Sequence, residues 1–236
     1  MKILIVDNRI TKKCERALEK LGFYLLRLPR DPSLGEAVES HPDTVLFYSN
    51  GRIITTVDYC EAASYFFMDL REYCPEIKLC FSDEKRGDKY PSDCIMNALV
   101  IGKRIICKSD SISKAIIDLA NEYGYEIIHT NQGYPACSVL AFGNSAITAD
   151  VGLALVLKNN GIKVTLINQG GISLPPYDYG FIGGASGVVG NTVYFFGNLD
   201  KHPDAIRIRE AILSEGYTPV SLSDEELCDF GGIIAI

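Results

Sequence analysis

The chain has 236 residues, of which 47% are hydrophobic and 22% charged, and its 30 acidic against 23 basic side chains give a formal net charge of −7. That hydrophobic share excludes a disordered chain, and the acidic balance with scattered Lys and Arg excludes a nucleic-acid binder, which needs a basic face. A chain of this length buries roughly 70% of its unfolded surface and needs no disulfide staples, so the eight cysteines, which lack CxxC spacing, read as reduced thiols rather than a scaffold or a zinc site.

In chain order, the N-terminal run Lys2 to Val6 predicts a strand and stops at Asp7, too short for a signal peptide. A helix from Thr11 to Leu21, a stop at Gly22 and a strand from Phe23 to Leu28 follow. His41 to Thr56 predicts a hairpin about the Asn50-Gly51 turn, followed by a helix from Tyr59 to Tyr73 and a strand from Ile77 to Phe81. Tyr90-Pro91 opens two apolar stretches about Gly102, a helix from Ser111 to Tyr123 that stops at Gly124, and a strand ending at His129. Tyr134-Pro135 opens the same pattern, with Gly143 at the turn, a helix from Asp150 to Asn160, Gly161, and a strand from Ile162. A hairpin after Gly184, a helix from Asp204 to Ser214, Gly216 and a strand from Thr218 to Leu222 form another copy. The last residues, Asp229 to Ile236, read as a first strand that lacks a partner nearby in sequence.

Each copy is strand, tight turn, strand, helix, strand. Joined, the two ends make a fifth copy cut at its hairpin, so the units occupy 229–236 plus 1–30, 41–83, 90–132, 134–170 and 181–224, about 47 residues apiece. The expectation is one α/β domain, a five-bladed propeller of ββαβ units closed by pairing of the N- and C-terminal strands. No stretch reaches the roughly 18 apolar residues of a membrane span, so a cytoplasmic protein with neither membrane nor nucleic-acid partner is expected. The sequence implies no cofactor and no metal, and it leaves the oligomeric state open.

Five such units in a ring resemble the pentein fold, also called the guanidine-group-modifying enzyme fold, whose members include arginine deiminases, dimethylarginine hydrolases, amidinotransferases and a non-catalytic ribosome anti-association factor. The segment from Gly133-Tyr-Pro-Ala-Cys-Ser to Tyr177-Asp-Tyr-Gly-Phe-Ile-Gly-Gly-Ala-Ser-Gly is similar to a bacterial branch placed in that fold. The resemblance implies a thiol-dependent hydrolase or transferase acting on a small cationic guanidino or amidino compound. It also implies departures. The Gly-Gly-Asp motif, whose Asp holds the guanidinium, falls on Gly183-Gly184-Ala185, and the nucleophilic Cys of the closing unit falls near Gly231, three residues after Cys228. The general-acid His falls where this chain has Cys94 and Cys137. A catalytically silent binding module for a small ligand or protein partner is the competing expectation.

Topology places the site. Starts of first strands, ends of second and third strands, and helix N-termini share one end of the ring. That end collects Asp43, Asp93, Cys94, Cys137, Ser186, Cys228 and Asp229 from strand starts, Asp7, Asp58, Asp110, Asp150 and Asp200 from second strands, and Asp83, His129 and Asn168 from third strands, with His202 beyond. Carboxylates bind a guanidinium fork bidentately and a thiolate attacks its carbon, so the assignment is Cys137 as nucleophile, His129 or His202 as acid/base, and Asp43, Asp93, Asp178 or Asp229 as clamp. Ser186, Tyr177 and Tyr179 join as substrate contacts, the tyrosines on a Gly- and Pro-rich connection suited to wall a ligand. Plainer roles compete: helix caps for Asp58, Asp110, Asp150 and Asp204, small core residues for Cys137 and Cys94, a turn role for His202 and a loop position for His41.

Overall fold

In the computed structural model, which describes residues 2–236, strand β1 (Lys2–Asp7) opens the chain, and its Ile3-Leu4-Ile5-Val6 run is buried on both faces. The Thr11 hydroxyl accepts from the Cys14 amide to cap helix α1 (Lys12–Lys20), and Gly22, at φ 87°, turns into β2 (Phe23–Leu28), parallel to β1. A one-turn helix α2 (Pro42–Val45) precedes the hairpin of β3 (Phe47–Ser49) and β4 (Arg52–Thr56), whose Asn50 and Gly51 both take positive φ as that turn demands. The helix expected from Tyr59 to Tyr73 is instead two, α3 (Val57–Ala62) and α4 (Ser64–Tyr73), because Ala63 leaves helical geometry at φ −104°, ψ 28°. Strand β5 (Lys78–Ser82) then lies parallel to β4.

Strands β6 (Leu99–Ile101) and β7 (Arg104–Cys107), helix α5 (Lys114–Tyr123) and strand β8 (Glu126–His129) repeat this order. So do β9 (Val139–Phe142), β10 (Ser145–Thr148), α7 (Val151–Asn159) and β11 (Lys163–Leu166), preceded by the one-turn helix α6 (Pro135–Ser138). After a short β12 (Ile172–Ser173) come β13 (Ser186–Val189), β14 (Thr192–Phe195), α8 (Ala205–Ser214) and β15 (Thr218–Ser221). Strand β16 (Leu227–Cys228) pairs in parallel with β12, a two-stranded sheet that lies outside the sequence pattern. Finally β17 (Ile234–Ala235) runs antiparallel to β1, with Leu4 opposite Ala235 and Ile5 opposite Ile234.

Five three-stranded sheets therefore share one order, first strand antiparallel to the second and second parallel to the third, and one of them joins the two ends of the chain. The first strands of all five gather around a shared cavity of about 330 Å³, to which they contribute Phe47, Leu99, Leu140, Val188 and Ile234. Helices cover the sheets with apolar faces: Ile208 and Ile212 of α8 pack on Val193 and Phe195, and Ile116 and Leu119 of α5 pack on Ile105 and Cys107. Among the described residues no helix is long and apolar enough to cross a membrane.

Of the four expected caps, Asp150 does cap its helix, accepting from the Leu153 amide. Asp58 and Asp110 do not, because Thr56 and Ser113 sit at the cap positions and supply the hydroxyls. Asp204 holds the cap position of α8 but turns its carboxylate to the Asn168 amides.

Removing Ile233 to Ile236 uncovers the edge of β1 and three partly buried isoleucines. Urea denaturation of that truncated chain is expected to show a stability loss of roughly 3 kcal/mol, about 1 per partly buried isoleucine. An unchanged midpoint would contradict a closing role for β17.

Candidate active site

Two one-turn helices frame the centre. Pro42 and Pro135 start α2 and α6, and each turn closes when the amide that follows it, of Leu46 or Val139, returns to the proline carbonyl. Proline suits a first helical position because its fixed φ matches the helix and its missing amide would be unpaired there anyway. These turns place Asp43 and Cys137, expected at strand starts, four residues ahead of β3 and two residues ahead of β9. The fully buried Asn97 amide joins them: Nδ2 donates to the Asp43 carbonyl at 2.9 Å and to Cys137 Sγ at 3.2 Å, and Oδ1 accepts from the Ala136 amide at 2.8 Å.

Opposite them lies Asp229, delivered just after β16. Its Oδ2 accepts from the Phe181 amide at 2.9 Å and its Oδ1 from the Gly231 amide at 3.0 Å. Gly184 lies so close to this carboxylate that a Cβ there would overlap it, and Gly231, at φ 67°, lies as close to His41. Only glycine fits both places.

His41, read from sequence as a loop residue, is instead almost fully buried, at 1% exposure. Its Nε2 is 3.8 Å from Asp7 Oδ2 and its Nδ1 3.8 Å from Asp229 Oδ1, too long for hydrogen bonds, so both ring nitrogens lack partners. Asp7 is satisfied otherwise, since Arg9 donates to it from its amide at 2.7 Å, Nε at 2.9 Å and Nη2 at 2.6 Å. Asp43 and Asp229 have no Lys or Arg partner among the described residues, and Asp43 Oδ2 accepts no hydrogen bond. A ring nitrogen of His41, a carboxylate oxygen of Asp43 and Sγ of Cys137 lie within 4.8 Å of one another. They form the one cluster among the described residues able to ligate a metal ion, a nitrogen, oxygen and sulfur set of the kind zinc accepts.

Burial and unpaired charge set the protonation. Burial lifts the Asp229 carboxyl to about 6. Burial and then the Asp229 charge hold the Asp43 carboxyl well above the usual range. Burial, followed by the Asp43 and Asp229 charges, pushes the Cys137 thiol far up, so the empty site holds a neutral thiol. Burial, then the Arg9 charge, lowers His41 to about 3, which leaves its imidazole neutral.

A cavity of about 600 Å³ opens above this floor. Of the residues nominated from sequence, it gathers Cys137, Asp93, Asp178, Asp229, Tyr177 and Tyr179, while Asp43 touches Cys137 but lines the cavity shared by the first strands. Asp93 Oδ2 accepts from the Tyr134 hydroxyl at 2.6 Å, while its Oδ1 has no partner. Ser186 faces the cavity shared by the first strands instead, and its hydroxyl donates to the Ile182 carbonyl at 2.6 Å. Neither nominated imidazole lines the Cys137 cavity. His129 is exposed at the end of β8 with Nδ1 2.8 Å from the Ser109 hydroxyl, and His202 is buried beside Gly171 with Nδ1 accepting from the Asp204 amide at 3.0 Å. Cys228 does not line the cavity either. Sequence reasoning passed over His41 and Asn97. The one available signal was that His41-Pro42 occupies the place of Tyr134-Pro135 in its own unit.

The chain belongs to a family of unknown function, DUF6873, whose model matches residues 5–234. No curated protein matches its sequence. Among solved structures it is similar to a dimethylarginine dimethylaminohydrolase variant in an adduct with S-methyl-L-thiocitrulline, with a TM-score of 0.59 and 10% identity over 94% of this chain and 92% of the other. It is also similar to SxtG, an amidinotransferase from Microseira wollei in the saxitoxin biosynthetic pathway, with a TM-score of 0.57 and 13% identity over 93% of this chain and 77% of the other. Both are pentein-fold proteins, and the fold of this chain is the pentein fold.

Because the Asp229 carboxyl is raised to about 6, it is charged above that pH and neutral below. Guanidinium ion, titrated calorimetrically, is therefore expected to bind well above about 6 and to weaken as pH falls through it. In Asp229→Asn the step near that pH should vanish. Binding that strengthens on acidification would contradict the assignment.

Proposed function

We propose that this chain is a thiol-dependent hydrolase or transferase acting on a small guanidino or amidino compound. The observation that carries the reading is a cysteine, an unpartnered histidine and two uncompensated carboxylates gathered at one buried floor beneath an open cavity. A planar cation fits the Asp43 and Asp229 pair, since two carboxylates accept its N–H donors bidentately while its carbon lies toward Sγ. Its positive charge also removes the repulsion that keeps Cys137 protonated, so binding and thiol activation are linked.

In this mechanism the thiol proton passes to the Asp43–His41 pair as Sγ bonds to the amidino carbon. The resulting tetrahedral adduct expels one nitrogen as ammonia or an amine, which takes that proton, and leaves an amidino thioether on Cys137. Water then gives a ureido product, or an amine acceptor takes the amidino group, and either attack returns the thiol. Asp229 takes the part that the Gly-Gly-Asp carboxylate has in the resemblance, reaching the face of Gly184 from the closing segment while Ala185 carries none. In the same reading the chain is a single domain whose five units close into a propeller, and it works in the cytoplasm.

A silent binding module finds support in the neutral thiol and in Ala185, and the experiment separates the two readings. Guanidino compounds are incubated with the protein, amine release is followed and Cys137 is examined by mass spectrometry. Turnover with an amidino adduct on Cys137, a loss of about 10³-fold or more in Cys137→Ala and of about 10²-fold in His41→Asn is expected. Unchanged turnover in Cys137→Ala would end the enzyme reading, and tight binding without turnover would favour the binding module.

A further inference from the structure

Asn97 is a fully buried amide at a place where the fold asks for none. It lies two residues ahead of β6, and the residue two ahead of β3, Val45, is equally buried and apolar. Burying an amide is costly unless its hydrogen bonds are made, so the repeat alone does not account for one here. Two of its partners are backbone groups, and they fix which way the amide faces. The Ala136 N–H can only donate, so it selects Oδ1, and the Asp43 carbonyl can only accept, so it selects Nδ2. The third partner, Cys137 Sγ at 3.2 Å, therefore meets an N–H and never an oxygen.

A thiol hydrogen aimed back at that N–H would set hydrogen against hydrogen, so the S–H bond turns to another acceptor. The carboxylate that touches Cys137 is that of Asp43, and its Oδ2 receives no hydrogen bond from elsewhere. We propose that Asn97 is a further catalytic residue of this site, whose Nδ2 hydrogen supports the charge that Cys137 Sγ gains and directs the thiol proton to Asp43. As sulfur attacks, the S–H bond breaks and its proton goes to the Asp43 carboxylate. The sulfur pair forms the bond to the amidino carbon, and the C=N pair moves onto nitrogen. When the amidino thioether is cleaved, the S–C pair returns to sulfur beside the Asn97 N–H, and the proton given up by the attacking water or amine reaches it through Asp43. A hydrogen bond to a charged partner is stronger than one to a neutral partner, so the donor favours the charged sulfur over the thiol. The inference rests on Cys137 as nucleophile and adds the group that serves it.

The test is the rate at which Cys137 is alkylated, followed by mass spectrometry, in the native protein, Asn97→Ser and Asn97→Asp. The reagents are chloroacetamidine, a cation, and its neutral counterpart chloroacetamide. Serine lacks the amide, and aspartate keeps its shape but has no N–H to turn toward sulfur. Both variants are expected to react at least ~10-fold more slowly with either reagent, while the half-saturating amidine concentration is unchanged in Asn97→Ser. The sign separates chemistry from bracing, because removing a mere brace loosens a buried thiol and speeds its reaction. Unchanged or faster alkylation in the variants overturns the proposal. Chloroacetamidine that labels without saturating ends the guanidino reading and leaves the chloroacetamide comparison to decide the role of Asn97. A native Cys137 that neither reagent modifies overturns both. A further measurement needs no substitution at Asn97: in nitrogen-15-labelled protein, its side-chain amide resonance is expected to move upfield in Cys137→Ala, and a resonance left in place overturns the donor role.

Discussion

Two carboxylates buried without a cation dominate the centre of this molecule. Burying an ion is costly unless it is paired, and the fold handles the three central aspartates differently. Asp7 receives the Arg9 guanidinium and is settled. Asp229 receives only two backbone amides and Asp43 a threonine hydroxyl, so both shift toward the neutral acid. The same field keeps Cys137 protonated. A site of this kind is quiet when empty and changes state when a cation arrives, since one bound charge relieves two carboxylates and a thiol together.

The surrounding backbone exists to hold that arrangement. Gly184 and Gly231 approach Asp229 and His41 closer than any Cβ allows, and the Gly231 amide is itself one of the donors to Asp229. Asn97 spends its whole amide on joining the turns that carry Asp43 and Cys137. Three separate segments of the chain thus meet at one point, and each is held by hydrogen bonds rather than by apolar packing alone. Such polar networks are costly when incomplete, and the gaps left here are at both His41 nitrogens and at Asp43 Oδ2.

Hairpins, helices and the pairing of the two chain ends were legible because they rest on local signals: Asn50-Gly51, the stops at Gly22, Gly124 and Gly161, and apolar runs of the right period. The sheet-end argument also brought Cys137, Asp43, Asp93 and Asp229 into consideration, because topology alone decides which end those residues occupy. His41 was not legible. Its burial depends on the close approach of Gly231, 190 positions away in sequence, and no local pattern carries that information. His129 and His202 drew notice as imidazoles at strand and turn ends, yet each spends a nitrogen on a local partner. The caps of α3 and α5 went to Thr56 and Ser113 rather than to the nearby aspartates, because the helices start at residues other than those the charges suggested.

The central claim is that unpaired carboxylates, and not an intrinsic activating base, govern Cys137. It is tested most directly by titrating the thiolate absorbance of the protein against its Cys137→Ser variant, with and without guanidinium ion. The account predicts that the Cys137 signal stays a thiol to well above pH 9 in the free protein and moves to lower pH when the cation is present. A thiolate already formed at neutral pH without ligand, or a titration unmoved by guanidinium, would contradict it.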